Sequence, residues 1–147
     1  MADAERALFV ARLEAAVVDA YRQHLDRGTV ANELADPVLV MAQHHDEHCT
    51  ALAAIALKAR TDVVRSERLF GEIAGASALD AATVAATEEA LAATHLASLG
   101  TLTETLNAAS VASILPVEAR HVVVVDATRL PDVQTVDAAY AEADYGA

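Results

Sequence analysis

The sequence is poor in almost everything that breaks or cross-links a helix. It has one cysteine, no tryptophan, three prolines and five glycines in 147 residues. A single cysteine, Cys49, excludes an internal disulfide and fits a reducing compartment. Scarce proline and glycine favour long helices. Few aromatics leave a core of small and aliphatic side chains, so neighbouring helices can approach closely. Basic residues number 10 against 22 acids, a net charge of −12, which excludes the basic surface that nucleic acid requires. No uninterrupted apolar run reaches the roughly 18 residues of a membrane helix. The acidic start, Met1-Ala2-Asp3-Ala4-Glu5, offers no region typical of a secretory leader. A cytoplasmic protein without nucleic-acid or membrane partners is the expectation. There is no Ser-His-Asp order, glycine-rich phosphate loop or Cys-x-x-Cys pair, so hydrolase, nucleotide and thiol-redox chemistry have no support.

What is present is apolar and periodic. Hydrophobic residues make up 54% of the chain, enough for one folded domain and too many for a disordered chain. Four long helices are predicted, over residues 4–25, 36–58, 80–105 and 110–127. Arg27-Gly28 stops the first, and Asp36-Pro37 reads as a cap with a first-turn proline for the second. Asp80 caps the third, in which Gly100 is a weak point. Pro116 should kink the fourth. The domain spans residues 1–128, and the tail, 129–147, holds one short helix at 136–143.

Connector lengths set the topology. Short links join the first helix to the second and the third to the fourth, giving two antiparallel hairpins. About 20 residues, 59–79, separate the hairpins, long enough to cross the length of a bundle. Val63, Val64, Leu69, Phe70 and Ile73 would pin this crossover, as a short helix. Two hairpins and one long crossover make an all-α four-helix bundle.

Each predicted helix carries one apolar stripe with a polar interruption near its middle. The stripes are Val10, Glu14, Val17, Tyr21 and His24; Val38, Met41, His45, His48, Leu52 and Ile55; Val84, Glu88, Leu91, His95 and Leu102; and Val111, Ile114, Glu118, His121 and Val125. His45-x-x-His48 and Glu118-x-x-His121 each place two ligand-type side chains on one face, nearly one turn apart. Glu14 precedes His48 by 34 residues and Glu88 precedes His121 by 33, so one pattern occurs twice. The six groups Glu14, His45, His48, Glu88, Glu118 and His121 would meet at one depth. Buried unpaired charge costs several kcal/mol, so such a layer needs mutual pairing, water or a cation. Carboxylate and imidazole together suit iron, manganese or zinc. Glu89 competes with Glu88 for the inward position, and His44 with His45, since His44 and His48 lie four residues apart; a stripe of Val40, His44 and Glu47 would instead face a different neighbour. Tyr21, His24 and His95 are expected to support the ligands. Cys49 points away from the layer and reads as an inert buried thiol.

At these residues the chain resembles the ferritin-like superfamily, in particular bacterial ferritin-like domain proteins. The likeness lies in Leu13-Glu14-Ala15-Ala16 with Tyr21, in Ala42-Gln43-His44-His45-Asp46-Glu47-His48, and most specifically in Val117-Glu118-Ala119-Arg120-His121. It covers residues 5–127. The resemblance implies two irons, held by a glutamate from each of two helices and Glu-x-x-His from each of the others, with oxygen activation or iron oxidation as the chemistry. Glu14, His48, Glu88, Glu118 and His121 match by type. His45 stands where the family has a bridging glutamate. Three carboxylates instead of four leave two divalent ions with about one surplus positive charge, and a protonated imidazole cannot bridge. An altered dinuclear centre, a single-metal site and a site without metal all follow from that change. A non-enzymatic helical module assembling through its alanine-rich faces is the alternative, and a homodimer suits either.

Overall fold

The computed structural model describes residues 3–129, so the expected short helix at 136–143 lies outside the described residues. These residues form five α-helices and no strand: α1 (Asp3–Arg27), α2 (Ala35–Ile55), α3 (Glu67–Ala74), α4 (Ala81–Leu99) and α5 (Thr105–Arg129). The all-α class stands, and the short helix expected in the crossover is α3.

The helix ends have local causes. Gly28 takes φ +64°, its N–H bonds Leu25 O at 3.0 Å, and Thr29 N–H bonds His24 O at 3.0 Å. This left-handed stop satisfies the last carbonyls of α1. Asp80 Oδ1 accepts from Thr83 N–H at 2.8 Å and starts α4 as expected.

Four boundaries differ from the sequence reading. The second helix starts at Ala35, after a 3-10 turn at Asn32–Leu34, with Leu34 rather than Asp36 in the cap position. Pro37 still falls in the first turn, where a missing N–H costs nothing. The same helix stops at Ile55 instead of residue 58, because Leu57 adopts φ +56° and Lys58 N–H closes back onto Ala53 O at 2.9 Å. The third helix ends at Leu99, with Gly100 as its cap rather than an interior weak point. The fourth long helix then begins at Thr105, five residues before the expected 110. Its start is capped from a distance: Asp3 accepts from Thr103 N–H, Glu104 N–H and Asn107 Nδ2, each at 3.0 Å. Pro116 lies inside α5, which continues through it.

The same contacts fix the direction of each helix. Asp3, at the start of α1, sits at the α4–α5 corner. Val30, just past the end of α1, pairs with Leu79, just before α4, through Ala31 N–H to Leu79 O at 3.1 Å and Leu79 N–H to Thr29 O at 2.8 Å. Helices α1 and α4 are therefore antiparallel, whereas α2 and α4 run the same way. Residues 56–80 must return along the full length of the helices. Val63 and Ile73 are buried in this return, and Leu69 and Phe70 pack at its edge, but the Val64 side chain is 67% exposed, and Val64 holds the return only through its carbonyl, which accepts from Arg12 Nε at 3.0 Å. Ser66 N–H bonds Arg12 O at 2.8 Å. His24 binds the Ile73 carbonyl through Nε2 at 3.0 Å and Thr29 Oγ1 through Nδ1 at 2.7 Å. Because a carbonyl only accepts, Nε2 carries the proton.

Two apolar clusters form. One contains Val17, Leu34, Val38, Met41, Leu79 and Val84; the other contains Val10, Ala11, Cys49, Leu52, Val111 and Ile114. The helices that build them carry the six groups of the polar layer between the two. Helix α5 is long and apolar enough over Thr105–Thr128 to cross a membrane, with an 18-residue window of mean hydropathy 1.5 of which 28% is buried. Length and composition of one helix are weak evidence for a span.

Candidate metal centre

All six ligand-type residues converge. Glu14 comes from α1, His45 and His48 from α2, Glu88 from α4, and Glu118 and His121 from α5. All are buried, with Glu14, His45, Glu88 and Glu118 fully so. Both open alternatives are resolved by packing: Glu88 points inward while Glu89 is exposed, and His45 is buried while His44 is half-buried. Two overlapping sets could each hold a metal ion, Glu14–His45–His48–Glu118 and His45–Glu88–Glu118–His121, with one ligand atom per residue and all within 4.8 Å of one another. They share His45 and Glu118.

His45 lies between the carboxylates. Its Nδ1–H donates to Glu14 Oε2 at 2.7 Å and its Nε2–H to Glu88 Oε1 at 3.2 Å. Burial alone would strip its proton, but Glu88 and Glu14 outweigh burial and raise its pKa well above the ordinary imidazole value. An imidazolium here is a cation with a donor for each neighbour. Burial likewise raises Glu14, yet the His45 charge and hydrogen bonds from His45 and His95 bring it down to about 2. Glu88 is also held low against burial, by the His45 charge and then the His121 hydrogen bond. His121 Nδ1 donates to Glu88 Oε2 at 2.8 Å, and Tyr21 Oη–H donates to Glu88 Oε1 at 2.6 Å.

Glu118 is the exception. Burial pushes its pKa up to about 8, with Glu14 and Glu88 acting in the same direction against the opposing charge of His45. Neither of its carboxyl oxygens has a hydrogen-bond partner, and neither does His48 Nδ1. Yet His48 Nδ1 lies only 2.8 Å from Glu118 Oε1. The distance suits a hydrogen bond and the angles do not, so it is an approach of two ligand atoms rather than a bond. Burial holds His48 down at about 4, leaving a neutral ring with a free lone pair.

The supporting residues are only partly those expected. Tyr21 bonds Glu88 as above, and His95 Nε2–H bonds Glu14 Oε1. His24 does not reach the layer, because its ring nitrogens are taken by Thr29 and Ile73. His44, the open alternative to His45, meets His121 Nε2 through its Nδ1 at 2.9 Å. The two rings are coplanar within 1°, edge to edge. Its signal in the sequence was the His44–His48 spacing of one helical turn. Cys49 donates to Ala11 O at 3.2 Å and is buried. Burial lifts its thiol to about 11, consistent with an inert role.

The chain matches no known protein family, no characterised protein and no solved structure.

Proposed function

We propose that this is a metal-binding protein with a ferritin-like four-helix arrangement, whose polar layer takes one divalent transition-metal ion in exchange for two protons. The observation that carries this reading is the bare pair at the centre. Two buried oxygens of Glu118 and Nδ1 of His48 lack hydrogen-bond partners, and a buried polar group without a partner costs roughly 1–3 kcal/mol. Ligand-type atoms crowded around one point without hydrogen bonds among them are the arrangement a cation satisfies once Glu118 gives up its proton. The charges agree. Without metal, ionised Glu14 and Glu88, neutral Glu118 and protonated His45 leave the layer one negative charge. Loss of the Glu118 and His45 protons together with entry of one divalent ion leaves the same net charge. A second ion would add two positive charges with no third proton to release.

The helix directions and the return crossover suit the ferritin-like resemblance of the sequence, which favours iron, with manganese and zinc compatible with the same donors. Bound iron would supply one-electron redox chemistry. The chain's own residues would hold the ion, exclude water through the two apolar clusters, and fix Glu14 and Glu88 through His95, Tyr21 and His121. Metal analysis after reconstitution with Fe(II), Mn(II) or Zn(II), with anomalous scattering from a crystal, tests the reading. One ion per chain at the layer supports it, and no bound metal under any condition refutes it.

One observation favours a second reading, in which the protein is a non-enzymatic helical module without metal. His45 already donates to both Glu14 and Glu88, so an internal imidazolium can take the place of a cation. In that case chelator leaves the melting temperature unchanged, whereas a bound metal makes it fall.

A further inference from the structure

Helix α5 is antiparallel to α4 across their short turn, and α4 runs the same way as α2, so α5 ends where α2 begins. Between these two ends, outside the layer, lies an open groove of about 390 Å³. Its apolar walls are Pro37 and Val40 of α2 and Val117 and Val124 of α5. Val40 and Val124 are 47% and 42% exposed, and their sequence neighbours Leu39 and Val123 are 48% and 65% exposed. Such a gathering of aliphatic side chains at one end of the bundle marks a contact surface rather than scattered exposure. Arg120 also lines the groove. Its Nε donates to Pro116 O at 3.3 Å, and it has no ion pair among the described residues.

The chain continues from the end of α5 through residues 130–147. This segment carries four acids, Asp132, Asp137, Glu142 and Asp144, and no base. Pro131 cannot extend the α5 hydrogen bonding. Val133, Val136 and Tyr140 follow the three-and-four spacing of one helical face, with Asp137 and Asp144 along its flank.

We propose that residues 133–144 dock as an amphipathic helix in this groove of their own chain, with Val133, Val136 and Tyr140 on the apolar wall and Asp137 and Asp144 on either side of Arg120. Length and charge both select this occupant. At about 1.5 Å per residue, Arg120 lies about 14 Å before the end of α5, and a helix returning antiparallel from residue 133 comes level with it at about residue 142. Asp137 and Asp144 bracket that height. In a chain with 22 acids against 10 bases, most of the surface repels an acidic segment, whereas an arginine without an acid beside an apolar wall accepts one. The tether also presents the segment to the groove at about millimolar effective concentration, which favours it over a second copy. Because His121 lines the groove, the docked segment closes this flank of the polar layer.

Hydrogen exchange of the full chain, resolved to short peptides by mass spectrometry, tests this. So short a helix is marginal alone in water, so protection within it requires docking. Amides of residues 134–144 should exchange at least about tenfold more slowly than a random coil, and equally so on dilution. Val124→Asp and Arg120→Glu, both at exposed positions, should each remove that protection and leave exchange in α1 to α4 unchanged. Combining Arg120→Glu with Asp137→Arg and Asp144→Arg should restore it. Random-coil exchange throughout residues 134–144 of the wild type overturns the proposal. So does protection that survives both single substitutions, which places the segment elsewhere, and protection that fades on dilution, which makes a second copy the occupant. A charge reversal that restores nothing overturns the pairing with Arg120.

Discussion

Glu118→Gln should stabilise the metal-free protein and cripple the metal-bound one. The side chain is fully buried, and burial raises its carboxyl from an ordinary 4.5 to about 8. A group whose folded pKa lies above its unfolded one costs nothing below the unfolded value, then penalises the fold increasingly as pH rises through the folded value. Here the window runs from 4.5 to about 8, and the full penalty is on the order of 5 kcal/mol. Glutamine has nearly the same shape and never ionises. In chelator, the variant should match wild type near pH 5 and exceed it by ~3–5 kcal/mol near pH 8.5. Zn(II) at a thousandfold excess over the wild-type Kd should close that gap near pH 8.5 and leave wild type the more stable at lower pH. Wild type gains about 4 kcal/mol at a thousandfold excess over its Kd, whereas the variant has lost the anionic ligand common to both candidate sets. Urea unfolding followed by circular dichroism, at both pH values with and without metal, reads all four quantities. A difference between variant and wild type that stays flat from pH 5 to 8.5 in chelator would show that burial does not hold Glu118 protonated, and the two-proton exchange would fall with it.

Three further outcomes are expected. His45→Glu replaces the internal cation with a fourth carboxylate, and elemental analysis after reconstitution should move from one metal per chain toward two; an unchanged ratio refutes the role given to His45. Asp3→Ala removes the distant cap of α5 and should lower the melting temperature at pH 7. The Asn107 side chain, then the Thr103 and Glu104 amides, hold the Asp3 pKa below its ordinary 3.8, so its contribution is present above that value and fades as pH falls through the folded one; a melting difference that does not shrink in strong acid counts against the cap. Leu57→Gly relieves a left-handed residue that is 91% exposed and should stabilise the fold by about 1 kcal/mol in thermal melts, with destabilisation as the refuting result.

The inward stripes were legible because helical period and burial are the same fact: every stripe residue expected on α1 and α5 is buried. The six ligand-type residues were legible for the same reason. Glu88 against Glu89, one residue apart, could not be separated by period alone, and packing of α4 decides it. Boundaries failed where their cause is distant or unusual. No local motif marks α5 starting at Thr105, since its cap is Asp3, 100 residues earlier than Thr103. No glycine marks the end of α2, since Leu57 takes the conformation glycine would favour. His24 lies on the correct face, but its height along α1 brings it to the crossover rather than to the layer. His44 lies off the stripe by one residue and still reaches His121, because an imidazole spans the gap sideways.

The two halves of the chain trade one residue each. Glu14, His45 and His48 come from the first hairpin and are completed by Glu118; Glu88, Glu118 and His121 come from the second and are completed by His45. Neither half holds a full set, and the closing partners lie 73 positions apart in sequence. A chain emerging from the ribosome would pass its first hairpin, and the whole return segment, with only three of one set's four ligands in hand. Metal capture would be the last event of folding rather than its nucleus, and the rate at which the chain acquires metal would measure the docking of one hairpin onto the other.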